Sequence, residues 1–206
     1  MIELTFPLSD SAVRDLKVGD PVSLNGTMVT GRDAAHKWLI DTFIRKTRPP
    51  QVDDAQAIEA LKPIFAGGAI YHCGPVVAGL DTQQYRFVAA GPTTSIREEP
   101  YEGDVLKHFG IRAVIGKGGM ADRTLAACQA VPAVYLHAIG GAATLIAKAV
   151  TRVVGVYKLE FGVPEALWVI EVKAFPAVVT MDSHGHSLHA EVEAGSKAAL
   201  ERLLQA

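Results

Sequence analysis

Three short stretches of this chain place a cation beside glycine. One is Gly116-Lys117-Gly118-Gly119, which ends the apolar run Ala113-Val114-Ile115. Glycines strip a loop of side chains, so a ligand can reach its backbone N–H groups, and the lysine adds an ammonium charge. Such a loop suits an anion. It lacks the spacing of a nucleotide P-loop and of a dinucleotide-binding fingerprint. The second stretch, Gly91-Pro92-Thr93-Thr94-Ser95-Ile96-Arg97, follows the run "YRFVAA". It offers hydroxyl donors and a guanidinium that can grip a carboxylate with two parallel hydrogen bonds. The third, Thr30-Gly31-Arg32-Asp33, precedes a helical pattern, where free N–H groups and the helix dipole favour anions. Taken singly, each has a plainer reading: a tight turn with a solvated lysine, a Ser/Thr-rich turn with a surface arginine, a capping turn. Taken together, two arginines and a lysine on glycine-marked loops imply a dianion, most simply a small dicarboxylate.

Other reactive side chains point less sharply. His72, in "YHCGP", reads as a core or turn histidine. His36 follows Arg32 by one helical turn; it either orients Arg32 or Asp33 or is a partly exposed helix histidine. His184, His186 and His189 in "DSHGHSLH" suggest a metal, but Asp182 to Gly185 reads as a hairpin turn. Alternate strand residues do not all meet one ion, so no metal site is assigned in this chain. Cys73 and Cys128 form no CxxC and read as buried thiols in a reducing compartment. They are too few to hold an iron–sulfur cluster by themselves.

The elements that must position these loops follow from patterning. A chain of 206 residues suffices for one sizeable domain, so residues 1–206 are read as a single domain. A net charge of −2 gives no footprint of nucleic-acid binding. The N-terminus "MIELTFPLSD" has no basic region before an apolar core, so no secretory signal is expected and the protein is placed in the cytoplasm. Thr124 to Ala147 carries no Asp, Glu, Lys or Arg, yet Pro132 and Gly140-Gly141 break it into helix, strand, loop and helix. A buried α/β core explains it better than lipid does. Four apolar runs ("GAIY", "YRFVAA", "RAVIG" and "AVYLH") each end in a glycine-bearing loop, with helices near 103–109, 123–130 and 142–150 between several of them. Strands alternating with helices predict an α/β domain with a largely parallel central sheet, whose ligands sit at the carboxyl ends of the strands. Asn25-Gly26 predicts a hairpin within 22–30, "AVVTMDSHGHSLHAEV" a second, and a last helix covers about 196–204.

In order along the chain stand "TGRDAAHK", "YHCGPVV", "AGPTTSIR", "IGKGGM", "GVPEALWVIEV" and "VTMDSHGHSLHAEV". Together these motifs resemble the β subunit, or C-terminal domain, of class I fumarate hydratases and L(+)-tartrate dehydratases, from about Thr5 to Val192. These are iron–sulfur-dependent hydro-lyases. The resemblance implies a swivelling β/β/α fold and an active site shared with an α subunit. It implies that a [4Fe-4S] cluster is bound by that partner and not by this chain, with one iron open as a Lewis acid on the leaving hydroxyl. By motif, the family's substrate arginine falls on Arg32 and its loop threonine on Thr93. The residues that would hold substrate carboxylates fall on Arg97 and Lys117, with Thr94 and Gly118 beside them. The resemblance gives Thr93 the role of base at the carbon that loses its proton, with Arg32 making its hydroxyl more acidic. A threonine is a poor base without such help, and hydrogen bonding to substrate is the other role open to it.

The resemblance therefore implies reversible hydration of fumarate to L-malate by a hetero-oligomer with the α subunit. Alternatives are an L(+)-tartrate dehydratase β subunit, or a non-catalytic dicarboxylate-binding domain. The sequence departs from the family pattern at Glu98-Glu99, where relatives commonly carry methionine and then one acidic residue. The extra carboxylate beside Arg97 is expected to weaken a dianion site or tune its preference.

Overall fold

The computed structural model describes residues 1–205. The chain opens with β1 (Ile2–Thr5), α1 (Asp10–Arg14), β2 (Pro21–Thr30) and α2 (Asp33–Leu39), which runs on through a π-turn over Ile40–Ile44. After α3 (Val52–Phe65) come β3 (Ala69–Tyr71) and the short pair β4 (Val76–Ala78) and β5 (Arg86–Ala89). A 3-10 turn, Ser95–Glu98, leads into α4 (Glu99–Phe109), β6 (Ala113–Gly116), α5 (Asp122–Ala130) and β7 (Val134–His137). The chain ends with α6 (Ala143–Ala147), β8 (Val150–Tyr157), β9 (Leu167–Met181) and α7 (Leu188–Leu204).

The fold is mixed α/β. In the main sheet β1, β2, β3, β6 and β7 run parallel in that order, and β8 and β9 are antiparallel additions. The long β9 pairs with β7 through Tyr135↔Met181 and with β2 through Pro21↔Val178 and Val29↔Val169. The sheet thereby closes on itself through β2, β3, β6, β7 and β9, and β1 and β8 flank the closed part, each paired on one side. Successive residues of the inner strands enter different cores. Tyr71, Ile115 and Leu136 pack with Leu24, Trp168 and Phe175, whereas Ile70, Val114 and Tyr135 pack with Leu39, Leu61 and Val105 of the helices. Burial on both faces explains why these strands read as continuous apolar runs and not as alternations.

Three sequence expectations change. Asn25-Gly26 is not a hairpin: β2 is one strand, and its register against β9 shifts between Leu24 and Gly26, a β-bulge. Gly26 takes φ +102°, and a Cβ there would stand 3.0 Å from the Phe6 carbonyl oxygen, so the bulge needs glycine. The "YRFVAA" strand, β5, lies outside the main sheet and pairs antiparallel with β4. The C-terminal hairpin is a strand, a turn and a helix. β9 stops at Met181, the Asp182 side chain gathers the turn, and Ser187 caps α7 by accepting from the Ala190 N–H (3.3 Å). α7 thus begins eight residues before the expected start. Among the described residues no helix is long and apolar enough to cross a membrane.

Candidate active site

The parallel strands deliver their carboxyl ends to one side, and the glycine loops meet there. Thr30 ends β2, Tyr71 ends β3, Gly116 ends β6 and His137 ends β7. Although β5 belongs to another sheet, its loop is tied in by backbone hydrogen bonds. The Thr93 N–H donates to the His72 carbonyl (2.7 Å), the Lys117 N–H to the Thr93 carbonyl (3.1 Å), and the Ser95 N–H to the Lys117 carbonyl (3.0 Å). Thr94 and Lys117 form a parallel bridge, and Cys73 bridges Pro92. The threonine loop and the lysine loop are therefore one backbone ladder, which holds Thr93 and Lys117 in fixed register.

The Arg32 loop joins from the other side. Arg32 Nη1 lies over Gly74, where a Cβ would stand 2.5 Å away, so this glycine makes room for the guanidinium. Arg32 pairs with Glu165 at 3.3 Å, and Glu165 also accepts from the Ala34 N–H (3.1 Å). Arg97 reaches Asp33 at 2.8 Å, linking the second loop to the third. Lys117 differs: among the described residues no carboxylate pairs with it, and its stem packs against Gly140 (a Cβ there would meet Cδ at 3.2 Å). Gly140 belongs to the pair Gly140-Gly141 that opens the segment before α6. Thr94 and Gly118 are exposed on the rim, and Gly118 takes φ +81°. Two polar atoms here are buried without a partner among the described residues, Thr93 Oγ1 and Arg32 Nε. Buried polar atoms are nearly always paired, so this loop cluster stands ready for a ligand that pairs them. A groove of about 440 Å³ beside it is lined by Ile96, Gly118, Met120 and His189.

Beneath the loops lies a polar network that spacing did not reveal. His36 is fully buried, not partly exposed; its Nδ1 faces the Arg32 carbonyl (2.9 Å) and its Nε2 faces Glu102 Oε2 (2.9 Å). His72, also fully buried, reaches the same Glu102 oxygen through Nε2 (3.0 Å) and Ser95 Oγ through Nδ1 (2.8 Å). The Tyr135 hydroxyl donates to Ser95 Oγ (2.8 Å). Burial opposes the charge of Glu102, but the His36 charge and the two imidazole hydrogen bonds prevail and hold its carboxyl down at about 2. Burial likewise opposes a charged His36, and Glu102 overrides it, raising the imidazole above its ordinary value. The C-terminal histidines do not converge: His184 faces the Arg14 carbonyl, His186 faces Asp182 and His189 faces Thr180.

The Glu98-Glu99 pair divides into two roles. Glu99 caps α5, accepting from the N–H groups of Ala121 (2.9 Å), Arg123 (2.9 Å) and Thr124 (3.2 Å). Glu98 is wholly buried with both carboxyl oxygens unpartnered. Burial raises its carboxyl above the ordinary range, against the pull of His72 and His36. A raised carboxyl takes up a proton on folding, so its stability contribution is intact below the unfolded value and is lost as pH climbs through the folded one. Glu98→Met is thus expected to stabilise the chain by about 1–3 kcal/mol at neutral pH, the usual cost of an unsatisfied buried polar group. The gain should shrink towards pH 4. Urea unfolding at the two pH values checks it, and an equal or negative change at pH 7 contradicts it.

Residues 1–192 match the model of the family described as Fumarase C-terminus. The chain is 50% identical over 205 residues to a putative fumarate hydratase class I of Geobacillus stearothermophilus, covering 100% of this chain and 36% of that relative. The chain thus spans about a third of that relative's length. It is 38% identical over 189 residues to the L(+)-tartrate dehydratase subunit beta of Escherichia coli K12, covering 91% of this chain and 86% of the relative. With a putative L(+)-tartrate dehydratase subunit beta of Methanocaldococcus jannaschii it shares 41% identity over 194 residues, 93% of each.

Proposed function

The chain belongs to the Fumarase C-terminus family, and on that premise we propose that it is the β subunit of a hydro-lyase that interconverts fumarate and L-malate with a partner α subunit. The observation that carries the reading is the ladder that seats Thr93 and Lys117 together, where among the described residues the buried Thr93 hydroxyl has no hydrogen-bond partner and no carboxylate pairs with the Lys117 ammonium. In the dehydration direction a proton leaves the carbon next to one carboxylate and hydroxide leaves the neighbouring carbon. Negative charge builds on that carboxylate, and cations already fixed in place stabilise it without reorganising. Lys117 and Arg97 are assigned to the substrate carboxylates, with Thr94 and Gly118 lining them. Thr93 takes the proton, and Arg32 lowers the cost of its alkoxide. Arg97 must exchange Asp33 for substrate, and the exposed position of that pair allows it.

Cys73 and Cys128 do not fit a cluster. Both are buried, and burial pushes both thiols up to about 12, far from the thiolate that iron requires. In this proposal the [4Fe-4S] cluster belongs to the α subunit, and the assembly is a cytoplasmic hetero-oligomer built on a swivelling β/β/α domain. The higher identity to the fumarate hydratase relative favours fumarate over tartrate.

The test is an anaerobic pull-down of the tagged chain from its native cells, with iron analysis and assays on fumarate and L(+)-tartrate. A cysteine-bearing iron protein and malate production are expected. A chain that comes down alone, iron-free and inactive, defeats the reading; a higher kcat/KM on tartrate moves it to the tartrate enzyme. In the assembled enzyme Lys117→Ala should lower kcat/KM by at least ~10-fold, since a lost charged contact costs about 1.5–3 kcal/mol. Unchanged kinetics would remove Lys117 from the site.

A further inference from the structure

We propose that Glu102 is a positioning residue: a buried carboxylate that holds a doubly protonated His36 against the Arg32 carbonyl and holds His72 against Ser95, so that one side chain fixes both loops of the proposed site. This rests on the functional reading above for its catalytic consequence, but not for its geometry.

The hydrogen bonds limit where the protons can sit. A carbonyl only accepts, so His36 Nδ1 carries a hydrogen towards Arg32. Glu102 Oε2 faces both Nε2 atoms, and as a carboxylate it accepts from both. His36 then bears hydrogens on both nitrogens and is an imidazolium. His72 donates from Nε2, which leaves Nδ1 to accept from the Ser95 hydroxyl. Ser95 Oγ in turn accepts from Tyr135. Every donor in the chain meets an acceptor. A proton moved from His36 Nε2 to Glu102 Oε2 would keep the same contacts; the lowered Glu102 carboxyl and the raised His36 imidazole favour the ion pair.

Charge agrees with this assignment. The groups facing His36 are Glu102 and, at longer range, Glu98; those facing Glu102 are His36, His72, Cys128 and Tyr135. Burial pushes the Glu98 carboxyl and the Cys128 thiol up, towards their neutral forms, so the facing pair of His36 imidazolium and Glu102 carboxylate balances itself. An unpaired charge at this depth would be expelled by desolvation. One ligand atom from each of His36, His72 and Glu102 lies within 4.8 Å of the other two, a spacing that would also admit a cation. The proton assignment accounts for the two imidazoles and Glu102 Oε2 without one; Glu102 Oε1 is buried and has no hydrogen-bond partner among the described residues.

The mechanical consequence comes from where the ends of the network attach. His36 grips the backbone of Arg32 itself. Ser95 lies two residues after Thr93, and its N–H is held by the Lys117 carbonyl. Glu102 sits on α4, remote in sequence from each of these (66 residues from His36, 30 from His72), and has no path of its own to a substrate. Its removal would leave every proposed contact residue present but loosely aimed.

The experiment is ring-nitrogen NMR on the full chain labelled with 15N-histidine. In the wild-type chain both His36 nitrogens should read as protonated at pH 7, and in Glu102→Gln the ring should read as neutral. A wild-type His36 with one bare nitrogen at pH 7 overturns the proposal, as does a stoichiometric transition metal in the purified chain. This readout needs no activity and no variant. In the assembled enzyme Glu102→Gln should lower kcat/KM at least tenfold, and the milder Ser95→Ala should lower it severalfold, while Glu98→Met shifts it little. A Glu102→Gln enzyme that has lost the imidazolium but keeps wild-type kcat/KM overturns the positioning role. If the wild-type assembly itself has no hydro-lyase activity, the functional reading fails. The positioning claim is then decided by whether the Arg32 and Thr93 amide resonances move in Glu102→Gln; unmoved amides refute it.

Discussion

Gly116→Ala is expected to destabilise the chain by about 3 kcal/mol and to lower kcat/KM of the assembled enzyme at least ~100-fold. Gly116 closes β6 and does not need a left-handed backbone, so the constraint is space alone. A Cβ built there falls on Ser95 Oγ, and stands 3.0 Å from the Tyr135 hydroxyl and 3.3 Å from His72 Nδ1. These are the three groups that meet at the Ser95 node, and all are buried. The Ser95 backbone cannot withdraw freely, because its N–H is tied to the Lys117 carbonyl in the loop that Gly116 begins. Overpacking a tight core costs about 1–3 kcal/mol. Parting Ser95 from His72 or Tyr135 adds about 1–3 kcal/mol for each polar group left unsatisfied. The activity loss exceeds that of Lys117→Ala because the displaced loop carries both Thr93 and Lys117. Gly155→Ala is the control: it also lies in a strand, and a Cβ there meets nothing within 4 Å, so it should change stability by under ~0.5 kcal/mol. Urea unfolding and steady-state kinetics on both variants decide the matter. Equal behaviour of the two would show that the Ser95 node has slack.

The glycine loops were legible in the sequence because their chemistry is local. Lys117 between glycines, Arg97 after a hydroxyl run and Arg32 at a helix start can each be recognised from a few neighbours. Their meeting was legible only through the general rule that strands present ligand loops at their carboxyl ends. That rule placed the loops after β2, β3 and β6 correctly, and it reached the Thr93 loop for a different reason from the one expected. β5 is not in the main sheet, and backbone bonds from His72 and Lys117 bring its loop in. The buried network was not legible. Glu102 reads in sequence as an ordinary helix carboxylate, and nothing in spacing ties it to two histidines so far away. Where sequence reasoning erred in the fold, it mistook one use of a residue type for another. Gly26 supplies a positive φ, which serves a bulge as well as a hairpin. The Asp182 turn leads into a helix and not into a returning strand, because Ser187 caps the first turn of α7. The closing of the sheet by β9 depends on a long-range antiparallel pairing that periodicity does not record.

The largest loss of stability is expected at a second carboxylate, distant from the loops. Asp54 sits in the first turn of α3 and is wholly buried. It accepts from Trp38 Nε1 (2.8 Å), Arg48 Nη2 (2.7 Å), the Gln51 N–H (3.0 Å) and Lys158 Nζ (2.9 Å). It therefore joins α2, the loop before α3, α3 itself and the turn after β8. Burial opposes its charge, yet these donors hold its carboxyl well below the usual carboxylate range. A depressed carboxyl contributes stability that is present above its unfolded value near pH 4 and is lost as pH falls through the folded value. Asp54→Ala should cost about 3–5 kcal/mol at neutral pH, the penalty for leaving a buried partner charge uncompensated. That partner is Lys158, only 6% exposed at its side chain and lodged between the Trp38 and Phe161 rings, with Glu160 as its one remaining counter-charge among the described residues. The wild-type advantage over Asp54→Ala should narrow as pH is lowered below about 4, whereas a packing defect alone would not follow pH. Lys158→Met in the Asp54→Ala background should restore part of the loss, because it removes the stranded charge and keeps the stem's volume between the rings. A double-mutant cycle by urea unfolding measures this directly. If Asp54→Ala costs less than ~1 kcal/mol, or the second substitution adds its full single-mutant cost, the two charges do not depend on each other. α2, which bears His36 and begins directly after Arg32, would then be anchored by its apolar face alone.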